Sequence, residues 1–179
     1  MLIRGLIILS AAALAVAQGP PAGSEPPKLR GETLEGKAIV LPDVAAGKVT
    51  MLVLGASRKG GDRTGRWREH FAADFGSNPR ADYYVAALLQ RVPGMMRGMI
   101  RSGMRGGTPP AARSHVLTSA SDEDAWRKYL AMMDDSLPSV LLLDASGRVR
   151  WSYNGVFDDG HYQALKSATT TALATLPSN

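Results

Sequence analysis

Residues 49–75 read VTMLVLGASRKGGDRTGRWREHFAADF, and this stretch decides the fold. It opens with an uninterrupted apolar run, Val49–Leu54, whose length and β-branched residues are typical of a central strand buried on both faces. A glycine-rich loop follows the run. The segment from Asp62 to Phe75 then predicts a helix with one apolar stripe. Its bulky aromatic residues recur every four positions, at Trp67, Phe71 and Phe75.

Strands and helices alternate on both sides of this stretch. Upstream, the sequence predicts a hairpin of two extended pieces, Leu29–Leu34 and Lys37–Leu41. Downstream, the predicted elements are a strand at 83–89, a helix from 93 to about 104, a strand at 114–118, a helix with a capping box at Ser121 and Asp124, a strand at 140–143, its hairpin mate at 149–153 and a final helix from 158 to about 173. This alternation predicts an α/β protein built in layers.

The composition indicates one folded domain without thiol chemistry of its own. The chain has 179 residues, of which 45% are apolar and 21% charged, and it contains no cysteine. The missing cysteine excludes disulfides, thiolate metal sites and cysteine nucleophiles. The net charge is +5, but aromatic residues make up only 6% of the chain, which argues against a base-stacking nucleic-acid groove. We therefore expect no cofactor, no metal site and no nucleic-acid partner.

The N-terminus predicts export. A basic residue, Arg4, precedes a short apolar run, Leu6–Ala17, which ends in the small-x-small pattern that signal peptidase reads. We therefore assign residues 1–17 as a signal peptide cleaved near Ala17, residues 18–28 as a flexible lead-in rich in proline and glycine, and residues 29–176 as the folded domain. The mature protein is then expected to be periplasmic or secreted. The alternative is an apolar run kept as an uncleaved anchor.

The order of elements resembles that of the thioredoxin fold with an N-terminal hairpin extension. The resemblance implies a three-layer α/β/α sandwich with a mixed central sheet. It also places Pro138 at the family's cis-proline position, facing the loop after the first central strand, although the sequence leaves the isomer open. Exported members of the family carry two cysteines in that loop, and the corresponding positions here are Lys59 and Asp62. One interpretation is a loop without redox chemistry, and the other is a lysine–aspartate acid–base site, which requires a buried lysine.

The middle of the chain is basic. Residues 58–113 contain eleven basic and four acidic side chains, whereas residues 114–179 contain five and eight. On the predicted helix in this region, arginines recur every four residues and form one stripe, with methionines on the adjoining face. Five residues form the candidate partner-binding site: Met96, Arg97, Met99, Arg101 and Arg105. The alternative is a solvated arginine stripe over a methionine core.

The segment Met96–Gly107 is similar to the mid-chain signature of the mitochondrial ATP synthase assembly factors with a thioredoxin-like fold, and of their bacterial relatives. The likeness extends from about residue 29 to about residue 165 and includes Trp67 and Trp151. It implies a protein that acts without catalytic cysteines, by binding a subunit of the membrane sector during assembly. This chain differs from the mitochondrial members because it carries a secretory signal.

Two functional interpretations follow. The one that the resemblance favours is an exported, cysteine-free thioredoxin-fold protein that acts as a protein-binding or assembly factor and is not a thiol enzyme. Its expected partner is a protein, such as a membrane-protein subunit, or an anionic membrane surface that attracts the arginine stripe. The alternative is a redoxin-type relative of the thioredoxins or peroxiredoxins that has lost its thiols, or that uses non-thiol chemistry at the Lys59–Asp62 loop.

Overall fold

The computed structural model describes residues 19–177, and the predicted signal peptide, residues 1–17, lies outside them. The strands are β1 (Leu29–Thr33), β2 (Ala38–Leu41), β3 (Val49–Gly55), β4 (Ala81–Leu88), β5 (Val116–Ser119), β6 (Ser139–Leu143) and β7 (Val149–Asn154). The α-helices are α1 (Arg58–Asp62), α2 (Gly65–Phe75), α3 (Gly94–Gly107), α4 (Glu123–Tyr129) and α5 (Asp159–Ala174). Within the described residues, none of these helices is long and apolar enough to cross a membrane.

The strands form one mixed sheet in the order β2-β1-β5-β4-β3-β6-β7. At its centre β3, β4 and β5 are parallel, and the strands that flank them on either side pair antiparallel. Parallel neighbours need a crossover connection; α2 lies in the crossover from β3 to β4 and α3 in that from β4 to β5. The predicted α/β class, mixed sheet and N-terminal hairpin are confirmed.

The sheet separates two hydrophobic cores. Because side chains alternate across a strand, Met51 and Val53 of β3 face the core covered by α2 and α5, whereas Leu52 and Leu54 face the core covered by α4. All four residues are inaccessible to solvent. The run at 49–54 is apolar apart from the buried Thr50, because both faces of β3 are covered. Helices on both sides of the sheet make the α/β/α sandwich.

The segment predicted as a flexible lead-in is bound along β7. The Gly23 N–H donates to the Val149 carbonyl at 2.7 Å, and the Val149 N–H donates to the Ser24 carbonyl at 2.9 Å. The Ser152 hydroxyl donates to the Pro20 carbonyl at 3.1 Å. These bonds satisfy backbone groups that an edge strand would otherwise leave open. Residues 20–24 of the predicted lead-in are therefore hydrogen-bonded to the sheet, which is a difference from the expected flexible segment, and the domain bounds themselves stay a prediction.

The helix predicted over residues 62–75 corresponds to α2, and a separate short helix, α1, occupies most of the segment predicted as a loop. Ser57 starts α1 ahead of the predicted boundary, because its Oγ accepts a hydrogen bond from the Gly60 N–H at 3.1 Å. Tight i→i+3 bonds from Arg63 to Gly60 and from Thr64 to Gly61 then end α1. The aromatic residues that predicted a helix all lie in α2. The short helix α1 has no apolar side chain, so the apolar pattern could not predict it.

The start of α4 also differs from the prediction. Its N-cap is Asp122, with φ of 65°, and the side chain of this residue makes no capping bond. The predicted capping box at Ser121 and Asp124 is therefore wrong. Gln90, which is 33 residues away in the sequence, caps α4 instead. Its Oε1 accepts a hydrogen bond from the Glu123 N–H at 2.8 Å.

An ionic cluster aligns the beginnings of the three parallel strands. Lys48, just before β3, donates to Asp82 of β4 at 2.9 Å. His115, just before β5, lies 3.2 Å from the other oxygen of the same carboxylate. Burial alone would raise the pKa of the Asp82 carboxyl, but hydrogen bonds from His115, Lys48 and the Tyr83 N–H outweigh it and hold the pKa at about 2.

Replacing Asp82 with asparagine should destabilise the protein in a pH-dependent way. The pKa of this carboxyl is lower in the folded chain than its ordinary value of 3.8. Ionised Asp82 therefore stabilises the fold above about pH 4, and that contribution is lost as the pH falls towards about 2. We expect Asp82→Asn to cost about 2 kcal/mol at pH 6, measured by urea unfolding, with the cost shrinking as the pH is lowered.

The control is Asp43→Asn, which removes the exposed partner of Lys28. Exposed ion pairs contribute little, so this variant should change the unfolding free energy by less than about 0.5 kcal/mol at any pH. A cost of Asp82→Asn that stays constant from pH 6 to pH 3 would contradict the assignment.

Candidate functional site at the turn after the central strand

The candidate site lies where β3 ends and α1 begins. Lys59 and Asp62 are the second and fifth residues of α1, and both are exposed. Ser57 caps this turn and fixes its direction. The two side chains therefore stand at the carboxyl end of a central parallel strand, the edge where open α/β sheets bind their ligands.

Two backbone segments approach each other closely at this turn. A Cβ atom on Gly60 would lie 2.6 Å from the carbonyl oxygen of Asp135. On the strand side, a Cβ atom on Gly55 would lie 2.9 Å from the backbone of Gly61. Both distances are shorter than van der Waals contact allows, so glycine at positions 55 and 60 lets α1 fit between β3 and residues 134–138.

Hydrogen bonds hold residues 134–138 against α1. The Ser57 hydroxyl donates to the Asp135 carbonyl at 2.6 Å. Arg63, which ends the helix, donates from Nη1 to the Ser136 carbonyl at 2.8 Å. The two segments are almost 80 residues apart in the sequence, and these bonds join them into one surface.

Pro138 follows this segment directly. It is buried, its carbonyl accepts a hydrogen bond from the Gly155 N–H at 3.0 Å, and β6 begins at the next residue. The bond that precedes Pro138 is trans, and the cis peptide bond of the described chain precedes Pro42. Pro138 thus leads into a central strand beside the α1 turn, as the resemblance to the thioredoxin fold implies. Its peptide bond, however, is not in the cis form that the family has at this position.

An ionic network that reaches from the buried Glu123 to the half-exposed Asp135 holds Asp135 from the α4 side. Arg127 binds both carboxylate oxygens of Asp135, with 3.0 Å from Nη2 to Oδ2, and its Nε donates to the buried Glu123 at 2.7 Å. The hydrogen bond with Asp135 raises the pKa of Arg127 despite the opposing effect of burial, and the same bond lowers the pKa of Asp135. The helix α4 therefore anchors the segment that faces α1.

The charges at the site do not form an acid–base pair. Lys59 is exposed, whereas lysine acts as a base in proteins after burial has lowered its proton affinity. Hydrogen bonds from Ser136 lower the pKa of the neighbouring Asp134, and the positive charges of Lys59 and Arg63 lower it further. The cations of α1 thus face the acidic residues before Pro138. The interpretation as a lysine–aspartate acid–base site requires a buried lysine, and Lys59 is exposed.

The arginines of the candidate partner-binding site lie on α3, but they do not form an open stripe. Arg97 donates from Nε and Nη2 to two carbonyls of the β4–α3 loop, both at 2.8 Å. Arg101 binds Glu32 at 2.6 Å. Arg105 is exposed. Two of the three arginines therefore fasten α3 to the rest of the protein, which corrects the predicted surface stripe.

Three of the four methionines of the same helix are exposed. Met95, Met96 and Met99 are 91%, 42% and 67% exposed, whereas Met104 packs against the core. The alternative, a solvated arginine stripe over a methionine core, therefore disagrees with the structure, whereas partner binding by this helix stays a prediction. On α3, three of the four methionines are exposed to solvent, and two of the three arginines are hydrogen-bonded to other parts of the protein.

Comparison with known proteins identifies an architecture. No protein-family model and no curated protein matches the chain. Solved structures do match it. A protein of Chlorobium tepidum described as a thiol:disulfide interchange protein, DsbE, superposes with a TM-score of 0.62 over 86% of this chain and 99% of its own, at 19% identity. The chain has a thioredoxin-like fold.

Two further structures share this thioredoxin-like fold. The thiol peroxidase of Chromobacterium violaceum matches with a TM-score of 0.55 and 15% identity, over 86% of this chain and 88% of its own. The exposed lipoprotein thioredoxin Etrx1 of Streptococcus pneumoniae strain TIGR4 matches with a TM-score of 0.55 and 14% identity, over 79% and 99%. At these identities the likeness establishes the fold, and it confirms the thioredoxin-like architecture expected from the sequence.

The comparison overturns the functional interpretation that the sequence favoured. A protein-binding or assembly factor was expected, but the named structures are thiol oxidoreductases and a thiol peroxidase. They lend no support to a link with ATP synthase assembly. They agree better with the alternative, a redoxin-type relative, and the absence of cysteine from the chain fits the loss of thiols that this alternative includes.

The sequence reasoning missed the residues that organise the site. The sequence analysis gave no role to Ser57, yet this residue caps α1 and binds Asp135. A serine three residues before Gly60 at the end of an apolar run is a readable N-cap signal. The Glu123–Arg127 pair has the i, i+4 spacing of a helical ion pair. Nothing in the sequence, however, connects Arg127 with Asp135.

The glycine contact predicts opposite effects of alanine at adjacent positions. Gly60→Ala should lower the free energy of unfolding by about 1–3 kcal/mol, because the two backbones must separate to admit a methyl group. Gly61→Ala is the matched control, since a Cβ atom there would meet no atom within 4 Å. Its higher helix propensity should leave stability unchanged or raise it by up to about 1 kcal/mol. Chemical denaturation of both variants measures the difference, and equal stabilities would show that α1 and residues 134–138 are not in contact.

Proposed function

We propose that the chain is a thiol-free redoxin, an extracytoplasmic relative of the thiol:disulfide oxidoreductases that keeps their active-site turn after both thiols have been replaced. Lys59 and Asp62 stand where the thiols would be. The observation that carries this proposal is their placement. They lie three residues apart in a capped helix that follows the central strand, exposed and beside the segment that leads to Pro138.

The surroundings of position 59 support the proposal. A thiol there would be exposed and close to a helix N-terminus, and such surroundings favour a reactive thiolate. A second thiol at position 62 would lie one helical turn away, as in a Cys-x-x-Cys motif. The turn therefore offers the exposure, the helix start and the spacing that a dithiol needs, whereas the wild-type chain has no cysteine and cannot carry out thiol exchange.

Restoring the thiols tests the proposal. The variant Lys59→Cys/Asp62→Cys should catalyse the reduction of insulin by dithiothreitol, at a rate on the order of tenfold or more above the wild-type chain. The wild-type chain should match a reaction without protein. The assay follows the turbidity of reduced insulin, and circular dichroism verifies that each variant is folded.

A second pair of cysteines controls for the mere presence of a dithiol on a helix. Met95 and Gly98 are the second and fifth residues of α3, and both are exposed. Met95→Cys/Gly98→Cys therefore has the same spacing and the same place in a helix, without the segment before Pro138. If this control is as active as the variant at positions 59 and 62, the α1 turn is not a redoxin site.

We also propose that the chain acts outside the cytoplasm after residues 1–17 have been removed. The small residues of Ala15-Val16-Ala17 support cleavage at this place. One of the structures with the same fold is an exposed lipoprotein thioredoxin, which is consistent with such a location. The hydrogen bonds of Pro20, Gly23 and Ser24 with β7 involve residues that follow Ala17 in the sequence, so cleavage after Ala17 leaves them intact.

Sequencing the N-terminus of the exported protein tests this second proposal. The exported chain should begin at Gln18. Ala17→Leu, which does not fit the small-residue pocket of the peptidase, should block processing. Ala13→Leu, in the apolar run, should be processed like the wild type. Exported wild-type protein that still begins at Met1 would contradict the cleavage.

A further inference from the structure

The helix α3 is inverted relative to an ordinary amphipathic helix. Its arginine side faces the protein, where Arg97 and Arg101 are held by hydrogen bonds and Met104 packs on the core. Surface helices usually turn their apolar side inward. Three exposed methionines instead lie on the side facing solvent: Met95, Met96 and Met99. No residue of α3, which the structure describes along its whole length, is fully buried.

Glycines leave the outward side of α3 open. Gly98, Gly103, Gly106 and Gly107 would each meet no atom within 4 Å if they carried a Cβ. Close packing therefore does not require these glycines, and each of them weakens the helix. Apart from the three methionines, the exposed residues of α3 are glycines, Ser102 and, six residues after Met99, Arg105. No bulky apolar side chain shields the thioether groups.

We propose that Met95, Met96 and Met99 bind a soft monovalent metal ion, Cu(I), through their thioether sulfurs. Met99 follows the other two by four and three residues, a spacing that brings the Cβ atoms to about 5–6 Å from each other on a helix. Long, flexible methionine side chains can converge on one ion from such positions. Thioether sulfur is a soft ligand that selects Cu(I) over harder divalent ions. The chain has no cysteine, so methionine supplies all of its sulfur.

The composition of this side of α3 favours metal coordination over apolar docking. Its exposed apolar residues all contain sulfur, whereas Ile100, the one aliphatic residue of α3, is half-buried. A standard protein–protein interface buries roughly 800 Å² of surface on each partner. The surface of three methionines among glycines is a small fraction of that area. Arg97 and Arg101 point towards the protein, and they therefore leave room for a cation on the opposite side.

A competition titration tests the site with Cu(I) itself. The full chain, kept anaerobic with ascorbate, should withdraw one equivalent of Cu(I) from the coloured complex with bicinchoninate. Met99→Leu, which removes the central ligand, should weaken binding at least about tenfold, and the triple leucine variant should abolish it. Leucine preserves apolar surface and helix propensity, so this loss reports on sulfur alone.

Two controls separate the proposed site from sulfur elsewhere in the protein. Met104→Leu changes the core-facing methionine of the same helix, and Met133→Leu removes a methionine that is 96% exposed outside α3. Both should bind Cu(I) like the wild type. As a measurement that needs no variant, Ag(I) should shift the ¹³C-methyl signals of Met95, Met96 and Met99. Failure of the wild type to compete for Cu(I), full binding by the triple variant, or Ag(I) shifts at other methionines would each overturn the proposal.

Discussion

The site depends on the contact between the backbone of Gly60 and the carbonyl of Asp135. This carbonyl also accepts the hydroxyl hydrogen of Ser57, and the hydroxyl oxygen accepts the N–H of Gly60. One serine thus caps α1 and joins it to the segment before Pro138. Behind this contact, Arg127 binds the carboxylate of Asp135 and connects it with the buried Glu123. The position of Lys59 and Asp62 relative to Pro138 follows from these bonds.

The same contact explains how a turn without thiols can keep the shape of a redox turn. Within residues 19–177, none of the hydrogen bonds that hold α1 in place involves the side chain of Lys59 or Asp62, so these two positions can change without loss of the local fold. The bonds come from Ser57, Arg63 and the two backbones. Loss of thiols from such a site removes the chemistry and leaves the architecture intact, which is the relation proposed here between this chain and the oxidoreductases that share its fold.

The fold was predictable because its signals are local. A continuous apolar run marked β3, a four-residue aromatic period marked α2, and the alternation of strands and helices gave the α/β class. The partner of Asp135 and the cap of α4 were not predictable, since both come from residues that are distant in sequence. The inversion of α3 was missed for the same reason. Arg97 and Arg101 look like a surface stripe until their acceptors in the β4–α3 loop and β1 are known.

Amide hydrogen exchange of the wild type and of Ser57→Ala tests most directly whether α1 and residues 134–138 form one unit. The Gly60 and Gly61 amides report on α1, and the Leu137 amide, which donates to the Asp134 carbonyl, reports on the second segment. If the serine couples the two segments, its loss should accelerate exchange at all three amides by a similar factor, while the amides of β3 remain protected. Acceleration at Gly60 alone would mean that Ser57 is no more than a helix cap and would contradict the joined site.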